Sequence, residues 1–338
     1  VIYRIKFLSL LVILSSIYLR ADDGAASIAE GGIVVMKREP RITMAKEVLQ
    51  ISATKVVVDY DFRNESDQDI TTDVAFPIPD YELDLGRTGQ ESGFSDFQVW
   101  IDGVRAHYRV ESRAFVKDTD YTQLLNSMHV DIPSFGHEAP RDDFPFRDLV
   151  GLSDAQLGQL TAAGLIDKDD HMPLWRVSKK YYWQQTFPAH KTIHIRHEYT
   201  PVRGSENSVS YGMGSKPEPQ PAEEIKSFCL DGRLHETLQQ IARQEGQGKG
   251  KTASYNYVDF ILTTANTWKT PIEDFTLIVE RQHWKNNRGE ADLADYISFC
   301  WDGPVTKIDA DHFSAHVANL IPAKELRIGF FSVTPRRF

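Results

Sequence analysis

Cysteine is almost absent: 338 residues contain only Cys229 and Cys300, with no Cys-x-x-Cys spacing to lower a thiol pKa for redox work. Basic residues are in deficit, 38 Lys and Arg against 48 Asp and Glu, a net charge of −10. Nucleic acid and anionic membrane surfaces both require clustered Lys and Arg, so this balance argues against either as a partner, and the acidity reads as solubility. Glycine signatures are missing too. The nearest run to a Gly-x-Ser-x-Gly elbow is Gly212-Met-Gly-Ser215, which lacks that arrangement. Gly246, Gly248 and Gly250 alternate with Gln and Lys after a helical stretch instead of joining strand to helix, so they are neither a Walker nor a dinucleotide loop. Without such motifs the reading is against an enzyme, and no cofactor is implied.

A long apolar run is also lacking, and what stands in its place is informative. Arg4 and Lys6 precede an uncharged stretch from Phe7 to Leu19, followed by Arg20, Ala21 and acidic residues. A basic start, about 7 to 15 apolar residues and a small residue at the cut describe a secretory signal, whereas a spanning helix needs roughly 20. Residues 1–21 therefore read as a signal peptide, with retention as an uncleaved anchor the alternative because Leu19 is large for its place. Cleavage leaves 317 residues with 35 basic and 48 acidic side chains, no stable membrane insertion, and a periplasmic or otherwise exported setting. In an oxidising compartment Cys229 and Cys300 are expected to form a disulfide, two free buried thiols being the alternative.

Alternation of apolar and polar residues then organises the chain. Val56, Val58, Tyr60 and Phe62 share one strand face; after the polar run Asn64 to Asp69, Ile70, Thr72, Val74 and Phe76 resume the period until Pro77 and Pro79 stop it, which predicts a hairpin. A second hairpin is predicted where Phe97, Val99 and Ile101 lead into Asp102-Gly103 and then Ala106, Tyr108 and Val110, since Asp-Gly suits the positive φ of a type I′ turn. Further strands are expected over 181–187, 192–199, 257–264, 275–280, 296–301 and 325–331. Short strands and polar turns point to a mainly β chain with two antiparallel sandwich-like domains.

The stretch from about 114 to 178 has a different character and reads as a helical and loop insertion in the first domain. Ser153 and Gln156 form a capping box, Leu152 and Leu157 can staple across it, and Gly164 supplies a left-handed stop. Another helix is expected within Asp118 to Met128. Lys216-Pro-Glu-Pro-Gln-Pro221 is an extended, proline-rich linker, placing an N-terminal domain over 22–215 and a C-terminal β-rich domain over 216–338. In the latter, Leu234, Leu238 and Ile241 recur at helical spacing. Ile297, Phe299 and Trp301 form one strand face, so Cys300 falls on the other, and a disulfide there would tie the segment entering the helix to the outside of the sheet.

Several stretches together resemble an exported bacterial family: Leu49 to Ser52, the strand from Val56 to Phe62 with Asn64 and Asp67, Phe76-Pro-Ile-Pro79, Trp183 with Phe187-Pro-Ala189, Thr263-Thr-Ala-Asn-Thr-Trp268 and Phe299-Cys-Trp-Asp-Gly303. The family is that of domain of unknown function 4424. The resemblance covers nearly the whole chain after the leader and implies an envelope protein with no assigned activity, cofactor or catalytic residue; it also favours the disulfide. Phe76-Pro-Ile-Pro79 followed by Phe97-x-Val99-x-Ile101-Asp-Gly103 is similar to the vault and inter-alpha-trypsin inhibitor domain, a β-sandwich interaction module.

Candidate chemistry is sparse. His190, His194 and His197 cluster as zinc ligands would, but strand geometry sends His194 and His197 to opposite faces, with His197 beside Ile193, Ile195 and Tyr199. His312 and His316 share an outward face near Asp309 and Asp311. Asp167, Asp169, Asp170 and His171 lack the turn glycine and closing glutamate of a calcium loop, so no metal site is expected. Asn64-Glu-Ser66 is a glycosylation sequon that reads more simply as a turn. Trp183, Trp268 and Trp301 are expected in the core, and Trp100, opposite Val99 and Ile101, is expected to be covered by the insertion. The functional expectation is a non-catalytic binding or scaffold module taking a protein or glycan partner. The alternative is a periplasmic hydrolase with an active site in the inserted loop, drawing on His137, Asp142 or Asp143.

Overall fold

The computed structural model describes residues 23–28, 34–82, 94–130, 132, 151–169, 173–206, 226–247, 250–281, 283–285 and 291–335. The leader, the Lys216 to Pro221 linker, Gly212 to Ser215, His137, Asp142, Asp143, Asp170 and His171 lie outside them. In chain order the elements begin with β1 (Gly24–Ile28), β2 (Val34–Met36), β3 (Glu39–Ile51), β4 (Val56–Asn64), β5 (Ile70–Pro77), β6 (Tyr81–Glu82), β7 (Ser95–Ile101) and β8 (Val104–Arg105). There follow β9 (Arg109–Val116), β10 (Thr119–Asp120), α1 (Thr122–Ser127), α2 (Asp154–Ala162), β11 (Arg176–Phe187), β12 (Thr192–Thr200), β13 (Gly204–Glu206) and α3 (Gly232–Gly246). The last are β14 (Lys251–Phe260), a 3₁₀ turn (Thr263–Thr267), β15 (Trp268–Lys269), β16 (Ile272–Glu280), β17 (His283–Lys285), β18 (Ala291–Leu293), β19 (Tyr296–Phe299), β20 (Thr306–Lys307), β21 (His312–Leu320) and β22 (Leu326–Pro335).

The fold is mainly β, as expected. A seven-stranded sheet runs β10-β9-β11-β5-β1-β2, with β6 also on β11, and a nine-stranded sheet runs β20-β21-β16-β3-β4-β12-β7-β8, with β15 also on β3. Their inner faces meet ring to ring: Phe62 lies 5.8 Å from Phe187, Phe76 5.4 Å from Phe97, and Phe97 4.4 Å from Tyr181. A four-stranded sheet, β13-β14-β22-β19, carries α3 over its own smaller core of Phe228, Leu234, Leu238, Tyr255 and Phe331. Pairing is antiparallel except where β3 receives β15 and β16 in parallel. The boundary drawn near Lys216 lies outside the described residues, and strands from both sides of it share the nine-stranded sheet.

β4 and β5 alternate as expected but are not a hairpin: β4 pairs with β3 and β12, β5 with β1 and β11. Inward-facing apolar residues on both strands are satisfied equally well by two facing sheets, so the polar run carries the chain across the sandwich instead of back along it. Asn64 shapes that crossing. Fully buried, it donates from Nδ2 to the carbonyls of Gln68 and Phe187, both at 2.8 Å, and accepts from Ser66 N–H at 2.9 Å. The sequon is therefore a turn. The β7–β8 hairpin does form, with Asp102 and Gly103 at φ 49° and 78°, but its second strand ends early and β9 departs to the other sheet.

In the insertion, α2 has the expected cap: Gln156 N–H donates to Ser153 Oγ at 3.4 Å, and Ser153 N–H to Gln156 Oε1 at 2.9 Å. Gly164 follows at φ 70°. α1 is short, and its segment is pinned to β9 by Ala114 N–H donating to Thr122 Oγ1 at 2.9 Å. α3 starts at Asp231, whose carboxylate accepts from Leu234 N–H at 2.7 Å. Cys229 and Cys300 are disulfide-bonded. Ser298 Oγ donates to Phe228 O at 2.9 Å, so the segment entering α3 lies against β19, while Ile297, Phe299 and Trp301 pack toward the main core from the other face.

Candidate functional site

β12 alternates as the sequence requires: Ile193, Ile195, His197 and Tyr199 point inward, and His194, Arg196 and Glu198 outward. The three histidines do not converge. His190 pairs with Asp67 at 2.9 Å in the turn. On the outer face His194 lies 3.0 Å from Asp61 and 3.2 Å from Asp59, and Arg196 reaches Asp59 at 2.7 Å. That band is a chain of partly exposed polar contacts, of which the Arg196–Asp59 ion pair is worth little in water.

His197 has no exposed surface. Its ring meets Tyr60, Phe76, Phe97 and Trp183 edge-on at centroid distances of 5.5, 5.1, 5.2 and 5.4 Å. Nε2 lies 3.3 Å from a carboxylate oxygen of Asp23, which is equally buried. Burial pushes the imidazole pKa down to about 3, and the nearby carboxylate does not restore the lost hydration, so the ring is neutral. The Asp23 carbonyl accepts from Trp268 Nε1–H at 2.7 Å, and Ala25 N–H donates to Thr267 Oγ1 at 2.9 Å. Gly24 lies between them, where a Cβ would come 2.0 Å from Met36 Cε and 3.0 Å from Thr267 Oγ1, so any larger residue requires the Met36 side chain to move. An acid-base pair sealed in this way cannot reach a substrate. It is the seat of the segment entering β1.

A separate anchor, for β2, lies on the outer face of the seven-stranded sheet. Lys180 and Glu111, both largely buried, pair at 2.9 Å. Together they hold one residue of β2: Val34 N–H donates to Glu111 at 2.9 Å, and Lys180 donates to the Val34 carbonyl at 3.0 Å.

The remaining cluster stands where the insertion leaves and re-enters the sheet. Phe115 on β9 is flanked by the guanidinium groups of Arg113 and Arg176, each 5.0 Å from its ring centroid. Each arginine has its own carboxylate, Asp120 for Arg113 and Asp80 for Arg176. β6 pairs with β11 at Arg176, so β6, β9, β10 and β11 converge here. The result is a half-exposed platform of stacked cations and aromatic carbon, held rigid by ion pairs.

Other expected residues take separate places. His312 pairs with Asp309 at 2.9 Å, which raises its pKa; the Asp309 carboxyl is lowered first by the Asp311 N–H it accepts at 2.8 Å and then by His312, while His316 pairs with Asp274 at 2.8 Å. Asp167 accepts from Asp169 N–H at 2.7 Å in a local turn. Among the described residues no group of His, Cys, Asp and Glu is arranged to hold a metal ion. Trp183 and Trp268 are buried and Trp301 is partly buried, packed against the main core, as expected. Trp100 is half-buried and stands in register with Arg105 on β8 and Arg196 on β12, while β10 and α1 of the insertion lie on β9 of the other sheet. Asp23, Glu47, Lys180 and Glu111 were not legible as interior groups, because nothing in the local pattern marks a charged residue that a distant segment will cover.

The family described as "Domain of unknown function (DUF4424)" matches residues 21–328. No curated protein matches the chain. Among solved structures, a Legionella pneumophila protein whose name proposes nutrient binding is similar at 12% identity and a TM-score of 0.40, over 93% of this chain and 72% of that one.

Proposed function

The chain belongs to the DUF4424 family, and from that premise we propose that it is an exported, non-catalytic binding module of the bacterial envelope. The platform at the base of the insertion carries the reading. Phe115 between Arg113 and Arg176 offers flat apolar carbon rimmed by cations, chemistry suited to a protein or glycan surface, and the ion pairs to Asp120 and Asp80 fix it before any ligand arrives. Export is supported by the Cys229–Cys300 disulfide, since such bonds persist in oxidising compartments.

The test has two arms. Cell fractionation should place the processed chain in the envelope fraction. The purified chain, used as bait against envelope extract and on a glycan array, should show a saturable ligand that the Phe115→Ala variant loses while its melting curve is unchanged. A bait that enriches nothing above a blank matrix, with a silent array, would overturn the binding reading.

A further inference from the structure

The segment that follows the leader has no slack. Asp23, Ala25 and Ala26 have no exposed surface, and Gly24 among them is buried too. Their backbone is engaged on both sides. Gly24, Ala25 and Ala26 stand in register with Ala75, Val74 and Asp73 of β5, Ala26 also with Met36 of β2, and Lys37 N–H donates to the Ala25 carbonyl at 2.8 Å. Further anchors come from the far end of the chain: Thr267 Oγ1 accepts the Ala25 N–H, and Trp268 Nε1–H donates to the Asp23 carbonyl, across 242 and 245 residues of sequence. Trp268 is itself fully buried, with Phe62 of β4 and Phe187 of β11 at 4.9 and 5.8 Å. The seat of β1 is therefore complete only when strands of both large sheets and the Thr263–Thr267 turn have come together.

With residues 1–21 as the leader, the bond to be cut joins Ala21 to Asp22, and Asp23 is the second residue beyond it. Two residues of fully extended chain reach about 7 Å, less than the roughly 10 Å between packed sheets. A peptidase that binds its substrate as an added strand needs extended chain on both sides of the bond, with backbone groups free to pair. In the folded molecule the backbone just beyond the bond is already committed to β5, β2, Thr267 and Trp268. We propose that the leader can be removed only before β1 is seated, so that processing and folding compete for the same few residues. Contacts of such sequence separation form slowly, because long loops must close first, and this delay leaves the unfolded chain open to the peptidase. A chain that folds first keeps its leader. The competition rests on the export reading and is independent of the platform and its ligand.

Cutting of the full precursor, residues 1–338, by purified bacterial leader peptidase in detergent tests this. Precursor diluted from urea into the peptidase should give a product that begins at Asp22. Precursor that has first regained its near-ultraviolet dichroism should be cut at least about 100-fold more slowly, through rare opening of the segment. A flexible Gly-Ser spacer of about ten residues between Asp22 and Asp23 should restore rapid cutting of the folded chain. Trp268→Phe, which removes the donor to the Asp23 carbonyl, should be cut faster than wild type when folded, and Thr267→Val serves if that variant does not fold. Equal rates for folded and unfolded wild type overturn the proposal, as does a spacer variant that still resists. A precursor that regains no native dichroism while the leader is attached would show folding waiting on the cut, which ends the competition. If the unfolded precursor and the spacer variant are both left intact, the export reading itself fails and the proposal with it.

Discussion

A histidine with no exposed surface forfeits hydration that a single neighbour cannot replace, and His197 shows the consequence as a pKa near 3. The unfolded chain takes up that proton at about pH 6.5. Between the two values the unfolded state binds more protons than the folded one, so stability falls as pH drops below about 6.5, by up to about 1.4 kcal/mol per pH unit for this group. Guanidinium unfolding at pH 7.5 and pH 5 should show the loss, and His197→Phe should flatten it; an unchanged slope in the variant would exclude His197 as its source. Asn64 supports the fold by a different route. Asn64→Ala removes the amide donor that holds the buried Phe187 carbonyl and that shares the Gln68 carbonyl with Ser66 Oγ, which should cost about 1 to 3 kcal/mol in the same assay. A change within a few tenths would mean that water or a shifted turn replaces both bonds.

At the scale of elements, the disulfide is the clearest case of a feature readable in the sequence. It closes a separation of 71 residues, so Cys229→Ser with Cys300→Ser should lower stability by about 4 kcal/mol in the chain-entropy account. Denaturant midpoints with and without reductant measure this, and equal midpoints would refute it. Legibility elsewhere followed the strength of local pattern. The capped helix over Asp154–Ala162 and the Asp-Gly hairpin were readable because their determinants lie within a few residues. β3, the 13-residue strand inside the larger sheet, was not read as a strand. Its alternation breaks at a bulge between Met44 and Lys46, and the buried Glu47 interrupts its apolar face. The β4 and β5 strands were readable, but not their partners, since period two fixes which face is inward and not which sheet receives it. Of the candidate site, the separation of His194 from His197 was readable from alternation. The platform was not, because Arg113, Phe115, Arg176 and Asp80 meet only through β-ladders that span the insertion.

Across the whole molecule the two ends of the chain are built into each other. β16 enters the nine-stranded sheet alongside β3, Arg63 reaches Glu273 at 2.7 Å, Lys269 pairs with Glu65, and the indole of Trp268 holds the carbonyl of Asp23. The main core draws on both halves, with Phe62 and Phe187 packed around Trp268 at 4.9 and 5.8 Å. Separating the chain at the linker would strip β3 of one neighbour and expose that aromatic cluster on both pieces. Residues 22–215 and 216–338 expressed alone should therefore lack near-ultraviolet dichroism and a cooperative melt, and mixing them should restore both, because the strand ladder and the cluster re-form together. If each piece melts cooperatively by itself, the halves are domains in the thermodynamic sense, and β3–β16 pairing is a docking contact between finished units instead of a condition for forming them.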